Sequence, residues 1–315
     1  MTEDLHGILL VDKPSGLTSH DIVGRIRRIT GQRRAGHCGT LDPLATGLLV
    51  VCLGRATKIV QFLSGLNKTY EATIVFGRTS PTYDREGLSD NETGLRTVDG
   101  LTEEHVQQYV ERLTGRILQT VPAFSAVRLD GRRLHEMARR GEQFDLPTRE
   151  VDVFSATGVE FGNPALRVRL NCSAGTYVRS WAHDIGRLAG CGAYLHDLRR
   201  VAAGQFWLDE AVEGMEELER VVRDGAIGEV LLPVERALGF AAIVVNDDFA
   251  GSVINGLDLK RSHIESLQGA FAAGEYVLLK DRSGRALAVG RAQASADELM
   301  SESNDTLFEY KRVLN

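Results

Sequence analysis

The segment 36–47 (GHCGTLDPLATG) holds the residues whose types and spacing best suit chemistry. Its three glycines let the backbone adopt positive φ angles or approach a bulky molecule closely. Pro43 restricts the chain directly after Asp42, whose carboxylate is flanked by apolar residues. An ionised carboxylate in such surroundings can act as a nucleophile or a base. An Asp-Pro pair is also typical of an ordinary turn, so this segment alone leaves both interpretations open.

Other candidate residues have simpler structural explanations when each is taken by itself. Tyr70 lies on an alternating apolar face and is typical of a core tyrosine. Arg179 could pair with Asp184 on the surface of a helix. His37 could be an ordinary loop histidine, and Leu198 would be a core residue in most proteins.

The pattern around Asp42 predicts the elements that position it. Ser19 is expected to cap a helix that ends at Gly31. The apolar face of this helix is formed by Ile22, Val23, Ile26 and Ile29. The apolar run 48–53 predicts a buried strand. Asp42 is therefore expected in the loop that leads into a buried strand.

Further along the chain, the pattern favours an α+β domain followed by a small β-rich module. Residues 68–76 alternate between apolar and polar side chains, as expected of a half-buried strand. A polar, turn-rich loop or insertion is expected at 77–100, a helix at 177–189, and a hinge near Gly239. Additional strands are expected at 116–119, 125–129, 151–161, 166–172, 276–279 and 286–289.

The charge distribution separates an acidic segment from two arginine clusters. The chain has 37 basic and 43 acidic residues and a net charge of −6 at pH 7. Residues 209–229 contain eight acidic and two basic residues, so this segment accounts for the whole excess. The clusters are Arg25, Arg27, Arg28, Arg33 and Arg34, and Arg128, Arg132, Arg133, Arg139 and Arg140. Local patches decide phosphate binding, although solvated helix faces would give the same pattern.

The composition is typical of soluble globular proteins, with 43% hydrophobic and 25% charged residues. No apolar run reaches the roughly 18 residues of a membrane span, and the acidic start of the chain is unlike a signal peptide. The cytoplasm is therefore the expected location. The four scattered cysteines, His183 and His196 lack the spacing of metal ligands or of a disulfide framework, so neither kind of site is expected.

Six ordered motif blocks together resemble the bacterial tRNA pseudouridine-55 synthases. They lie at 13–19 (KPSGLTS), 36–47 (GHCGTLDPLATG), 68–72 (KTYEA), 77–87 (GRTSPTYDREG), 122–127 (PAFSAV) and 175–179 (GTYVR). The triplets 198–200 (LRR) and 232–234 (LPV) also fit. The order and spacing of so many blocks make chance agreement negligible.

The resemblance implies a pseudouridine-synthase fold. This is an α+β fold with a mixed, largely antiparallel sheet, followed by a small C-terminal β-rich PUA-like module. It implies a catalytic domain at 1–240, with a thumb-like insertion at about 125–150, and a reduced PUA-like RNA-binding domain at 241–315. The length of 315 residues independently favours two domains.

The resemblance also implies which residues carry the chemistry. Asp42 would be the nucleophile, Arg179 would pair with it, and Tyr70 would lie against the target base. A carboxylate in an apolar pocket tends to become protonated, and an adjacent guanidinium opposes this. We therefore expect Arg179 both to keep Asp42 charged and to orient it.

Four further residues are implied as binding groups. Leu198 would form part of the pocket wall. His37 would stack into the T-loop, in the place of the extruded base. Lys13 and Tyr177 would support the pocket.

The function implied is the isomerisation of the T-loop uridine of tRNA, at position 55, to pseudouridine. The resemblance implies no cofactor, no metal and no guide RNA. The expected partner is the T-arm and elbow of tRNA, with no membrane and no obligate protein partner, and the expected state is a monomer. Two other interpretations stay open: the catalytic subunit of a guide-RNA particle, and a non-catalytic chaperone that folds tRNA.

Three residues depart from the family pattern. Cys38 stands where threonine is common, Val121 replaces the first of two prolines, and His135 stands where tyrosine is frequent. None of these changes removes a catalytic group. They affect the expected fit to the T-loop rather than the chemistry.

Overall fold

The computed structural model describes residues 5–88, 97–299 and 307–314. Part of the loop expected at 77–100 therefore lies outside the described residues. The strands are β1 Gly7–Lys13, β2 Ala35–His37, β3 Thr46–Leu53, β4 Lys68–Phe76, β5 Gly115–Thr120, β6 Arg128–Leu129, β7 Arg132–Arg133, β8 Thr148–Gly162, β9 Ala165–Cys172, β10 Ala193–Ala203, β11 Phe206–Trp207, β12 Leu231–Leu232, β13 Ala242–Val245, β14 Ile264–Gln268, β15 Tyr276–Lys280, β16 Ala286–Ala292 and β17 Phe308–Val313.

The helices are mostly short and flank the strands. They are α1 Ser19–Thr30, α2 Val60–Ser64, α3 Glu103–Arg112, α4 Leu134–Arg139, α5 Val178–Leu188, α6 Gly214–Arg223, α7 Ile227–Val230, α8 Val234–Leu238, α9 Asp247–Ala250 and α10 Ala296–Leu299. Within the described residues, no helix is long and apolar enough to cross a membrane.

Two sheets organise the chain. The larger one has the strand order β12-β1-β3-β10-β4-β9-β8-β5, with β2 paired to β3 and β11 to β10. The smaller one has the order β14-β13-β15-β16-β17. Neighbouring strands are antiparallel except for the pairs β3–β10 and β13–β15. The predicted α+β class, with a largely antiparallel mixed sheet and a β-rich C-terminal module, is confirmed.

Strand β10 lies at the centre of the larger sheet, although the sequence pattern does not predict it. It pairs with β3 on one side and with β4 on the other. Asp197, Arg199 and Arg200 interrupt its apolar pattern, and two irregularities in register break the alternation. Helix α5 packs against this strand, and the apolar residues between them belong to the main core.

Helix α1 begins one residue earlier than its sequence suggests. The N-cap is Thr18, not the expected Ser19, and Thr18 forms a capping box with Asp21. The helix ends at Gly31, which has the left-handed φ of 71° that glycine favours. The Ser19 hydroxyl points into the protein and bonds to the loop that contains Asp42. The prediction of the cap was wrong because two adjacent hydroxyl residues compete for the position.

The predicted strand at 125–129 is mostly a loop. Only Arg128–Leu129 pairs, with Arg132–Arg133, to form a two-residue hairpin. The backbone carbonyls of Ser125 and Val127 instead accept hydrogen bonds from His135 and Leu134, at the start of α4. These bonds fold the segment back on itself and leave no continuous strand.

A shared apolar core joins the two sheets. Leu48 and Val50 of the larger sheet pack in one cluster with Leu278 and Val289 of the smaller one. Three aromatic rings extend this contact, with Phe62 lying 5.2 Å from Tyr276 and 6.2 Å from Phe240 between ring centroids.

All four cysteines are buried and free. The sulfur atoms of Cys38 and Cys52 are 3.4 Å apart. Their contact and burial raise the pKa of Cys52 above its ordinary value. Burial raises the pKa of Cys172 to about 11.

Candidate active site

The loop between β2 and β3 presents Asp42 and is held from behind by the start of α1. The Ser19 hydroxyl accepts a 2.8 Å hydrogen bond from the Leu41 amide and donates to the Leu41 carbonyl at 3.1 Å. The Gly16 amide donates to the carbonyl of Pro43 at 2.8 Å. These bonds fix the residues on both sides of Asp42, whose side chain is 32% exposed.

Lys13 is fully buried behind this loop. Its ammonium group donates to the carbonyls of Pro14 at 2.9 Å, Leu17 at 2.6 Å and Pro43 at 3.3 Å. Burial is the main reason that its pKa is lowered to about 8, and the nearby Asp42 carboxylate opposes this effect. Lys13 does not belong to the described residues that line the cavity beside Asp42, so its contacts support the loop.

Arg179 lies in the first turn of α5, and two of its nitrogen atoms donate hydrogen bonds to the Asp42 carboxylate. Its Nε lies 2.8 Å from Oδ2 of Asp42 and its Nη2 lies 3.1 Å from Oδ1. The guanidinium also donates to the carbonyls of Thr82 at 3.0 Å and Phe124 at 3.2 Å. Bidentate geometry of this kind orients a carboxylate as well as neutralising it.

A second carboxylate faces the same guanidinium. Oδ2 of Asp84 lies 3.6 Å from Nη1 of Arg179, and the Asp84 side chain is only 4% exposed. Its Oδ1 accepts hydrogen bonds from the Thr82 hydroxyl at 2.6 Å and the Glu86 amide at 3.1 Å. Burial raises the pKa of Asp84, while the Thr82 hydroxyl and Arg179 act in the opposite direction. Arg179 therefore lies between two acidic groups.

A cavity of about 570 Å³ opens beside the Asp42–Arg179 pair. Tyr70 of β4 and Leu198 of β10 line it and are 8% and 6% exposed. The loop and helix at 124–139 contribute further lining residues, among them Phe124 and His135. An anionic group, an aromatic ring and an aliphatic wall thus face one space.

Tyr177 and His37 occupy different positions relative to this cavity. Tyr177 lines it and is fixed by Gln119, which accepts from the Tyr177 amide at 2.7 Å and donates to its carbonyl at 3.0 Å. His37 ends β2 and is not among the described residues that line the cavity. Burial, and then Arg200, lowers the pKa of His37, and its buried Nδ1 has no hydrogen bond within the described residues. His37 is therefore neutral near pH 7, and it lies next to the loop rather than in the pocket.

Protein-family models match nearly the whole chain. The TruB family pseudouridylate synthase N-terminal domain matches residues 27–178, the tRNA pseudouridylate synthase B C-terminal domain 179–239, and the PUA domain 241–314. The tRNA pseudouridine synthase B of Solibacter usitatus (strain Ellin6076) is 37% identical over 91% of this chain and 95% of its own. That of Xanthomonas axonopodis pv. citri (strain 306) is 43% identical over 81% and 82%.

The chain belongs to the TruB family of pseudouridylate synthases. The family resemblance and the enzymatic nature inferred from the motif blocks are thereby confirmed. A solved structure shares the fold: the chain matched in the archaeal box H/ACA sRNP Nop10–Cbf5 complex is 26% identical, with a TM-score of 0.75. The match covers 99% of this chain and 87% of the other.

The structure also brings in residues to which the sequence assigns no role. Arg200 is 1% exposed and donates to the carbonyls of Leu48 at 2.7 Å and Gly39 at 3.1 Å. It thus ties the strand β3 to the loop that carries Asp42. Lys68, which lines the cavity, has its pKa lowered to about 8, mainly by burial. Both residues lie in motif blocks, but spacing alone does not tell a buried arginine or lysine from an exposed one.

Proposed function

We propose that the chain converts the T-loop uridine of tRNA, at position 55, into pseudouridine, without a cofactor or a guide RNA. The observation that carries this proposal is the bidentate Asp42–Arg179 pair on one side of a cavity lined by Tyr70 and Leu198. Relatives named tRNA pseudouridine synthase B support the choice of tRNA as the substrate.

Asp42 is proposed as the nucleophile of this isomerisation. The reaction breaks the glycosidic bond between C1′ of the ribose and N1 of the uracil, and joins C1′ to C5. The hydrogen on C5 is then released as a proton, and N1 gains one. A transient bond between the Asp42 carboxylate and the sugar or the base divides this change into two smaller barriers. Arg179 holds the attacking oxygen atoms in place.

Tyr70 and Leu198 are proposed to hold the uracil ring after it leaves the RNA stack. Extruding a nucleotide costs a few kcal/mol, and stacking on an aromatic ring offsets part of that cost. Burial raises the pKa of Tyr70, so its hydroxyl stays neutral near pH 7. His37, next to the loop, is proposed to fill the space left in the T-loop, while Tyr177 supports the cavity and Lys13 the loop.

The remaining parts of the proposal concern the whole chain. We propose a catalytic domain at 1–240 with a thumb-like segment at about 125–150, and a PUA-like domain at 241–315 that adds contacts to the tRNA elbow. We further propose a monomer in the cytoplasm that acts without an obligate protein partner. The likeness to Cbf5 favours one alternative, a catalytic subunit that needs a guide RNA.

The test is tritium release from a tRNA transcript labelled at C5 of uridine, with mapping of the modified nucleotide. The purified chain should modify position 55 unaided, and a transcript with cytidine at that position should stay unmodified. A requirement for added guide RNA would favour the alternative subunit. Modification at another nucleotide would reject the T-loop assignment.

Two variants test the proposed roles. Asp42→Asn should abolish tritium release, and Arg179→Ala should do the same while the tRNA is still bound. Turnover retained by Arg179→Ala would reject the pairing as part of the mechanism. If Asp42→Asn left the pseudouridine content of tRNA in cells unchanged, the nucleophile assignment would be wrong and the chaperone interpretation would gain.

A further inference from the structure

Tyr83 has an unusual backbone conformation close to the candidate active site. Its φ angle is +63°, and Asp130 is the other non-glycine residue with positive φ within the described residues. Asp130 precedes Gly131 in the turn of the β6–β7 hairpin, where such angles are common. A bulky residue with positive φ is uncommon and strained, and this strain persists only where the surrounding contacts hold it.

The ring of Tyr83 stacks on that of His183. Their centroids are 4.1 Å apart and the interplanar angle is 17°. The buried Nδ1 of His183 makes no hydrogen bond within the described residues. His183 contacts Tyr83 through the face of its ring. His183 follows Arg179 by four residues on α5, and residues at this spacing lie on the same face of a helix.

The turn that contains Tyr83 also supplies partners to Arg179. The carbonyl of Thr82 accepts from Nη1 of Arg179 at 3.0 Å, and the carboxylate of Asp84 lies 3.6 Å from the same nitrogen. The backbone of the turn is held by the Leu195 amide, which donates to the Tyr83 carbonyl at 2.9 Å. The residues on both sides of Tyr83 therefore contact the guanidinium that grips Asp42.

We propose that Tyr83 and His183 form a positioning pair for the reaction. Their stack clamps the turn at 80–84 onto α5, one helical turn after Arg179. The clamp fixes the Thr82 carbonyl and the Asp84 carboxylate beside Nη1 of Arg179. Nε and Nη2 of the same guanidinium are thereby directed toward Asp42. This inference rests on the proposed roles of Arg179 and Asp42. It explains why Tyr83 keeps a strained backbone conformation.

Three substitutions at Tyr83 separate ring stacking from backbone strain. Tyr83→Phe keeps the ring, Tyr83→Ala removes the ring and keeps the strain, and Tyr83→Gly removes both. The single-turnover rate at saturating tRNA should stay within about twofold for phenylalanine. It should fall about ten- to a hundredfold for both glycine and alanine, because small misplacements of catalytic groups are costly. The Kd for tRNA should be unchanged in all three.

His183 provides the partner experiment. His183→Phe preserves a flat ring and should retain the rate, while His183→Ala should lower it as much as Tyr83→Ala does. The two alanine substitutions should not be additive, since either one abolishes the stack. Phe154→Ala, which removes a 51% exposed ring from the outer end of the sheet, is the matched control and should have no effect.

The outcomes distinguish this inference from the proposed function. If Tyr83→Gly is as active as the unaltered chain, the stack does not position Arg179, and the proposed function still stands. If the glycine variant loses rate and the phenylalanine variant loses it equally, the hydroxyl rather than the stack matters, and the pairing is rejected. If the unaltered chain does not modify tRNA, the proposed function itself is at fault.

Discussion

Arg179 is placed so that its charge is shared between a partly exposed carboxylate, Asp42, and a buried one, Asp84. Both carboxylates line the cavity, but the Asp42 side chain is 32% exposed and that of Asp84 only 4%. A guanidinium offers donors along several edges, so one side can orient the reacting group while the other is anchored. Asp84 is therefore expected to influence the reaction through its contact with Arg179.

Substitution of Asp84 by asparagine should lower turnover and leave tRNA binding intact. The amide oxygen can still accept from Thr82, but it no longer offers a negative charge to Arg179. We expect the single-turnover rate to fall about ten- to a hundredfold, in line with the loss of one orienting contact. Asp152→Asn, in an ion pair with Arg116 on the far part of the sheet, should leave the rate unchanged. Equal rates for both variants would contradict the anchoring role.

The same substitution should change how stability depends on pH. Because burial raises the pKa of Asp84, the folded state favours the protonated carboxyl more strongly than the unfolded state does. The contribution of Asp84 is therefore fully present below the ordinary aspartate pKa and is lost as the pH rises through the raised value. The free energy of unfolding of the unaltered chain, relative to Asp84→Asn, should decline from acidic toward neutral pH in urea titrations. An increase over this range would show that the pKa is lowered instead.

At the scale of single residues, the sequence identifies the residues proposed to react better than the residues that hold them in position. Asp42 and Arg179 lie in motif blocks whose glycines and prolines mark them as special. Asp84 and Arg200 lie in such blocks too, but their importance depends on burial and on partners far away in the chain. Tyr83 carries no sequence signal, because the backbone angle that makes it unusual is set by contacts with α5.

At the scale of elements, the loop that carries Asp42 is rigid because α1 and the turn before it are bonded to it. Ser19, Gly16 and Lys13 all contact backbone groups of residues 41–43. Buried backbone groups that lose their partners are destabilising, so this loop and the start of α1 are expected to unfold together.

Ser19→Ala should reduce both stability and turnover. It removes the two hydrogen bonds that hold Leu41, the residue before Asp42, and leaves a buried amide and carbonyl without their partner. We expect the free energy of unfolding to fall by about 1–3 kcal/mol, measured by denaturant titration. Ser283→Ala is a suitable control, because this exposed hydroxyl contacts only a carboxylate of its own hairpin turn among the described residues. A loss of stability without any loss of rate would uncouple the loop from catalysis.

Local periodicity predicts the strands β3 and β4 and misses β10, which lies between them in the larger sheet. The strand 68–76 follows from its alternation and is observed at the expected residues. Strand β10 is not predicted, because Arg199 and Arg200 are poor strand signals and their partners lie about 150 residues away. Capping at Thr18 rather than Ser19 is likewise decided by a tertiary bond that the local pattern does not contain.

At the scale of the whole molecule, the acidic residues and the arginines are clustered in different segments of the chain. The acidic segment includes α6, which packs against α1 through apolar residues, while Arg33 and Arg34 are exposed near His37. Such an arrangement lets a chain with a net charge of −6 bind an anionic polymer through one part of its surface.

The salt dependence of tRNA binding should reveal which part of the surface meets the phosphates. Each phosphate contact contributes a slope of about −0.9 to the plot of log affinity against log salt concentration. Arg33→Gln combined with Arg34→Gln should reduce the slope by about two. Glu216→Gln combined with Glu219→Gln changes the net charge by the same amount in the opposite direction and should leave the slope unchanged. Shifts of equal size and opposite sign from the two pairs would mean that only the overall charge matters.

All four thiols are buried, so their alkylation in the native chain measures how often the structure around each one opens. Alkylating reagents attack the thiolate, and burial excludes the reagent from all four side chains. Iodoacetamide should therefore label the folded enzyme at a rate limited by transient exposure of Cys38, Cys52, Cys172 and Cys191. Mass spectrometry of the labelled peptides would rank the local opening of the loop beside Asp42, where Cys38 lies, against that of the rest of the sheet. Bound tRNA should protect Cys38 more than Cys191.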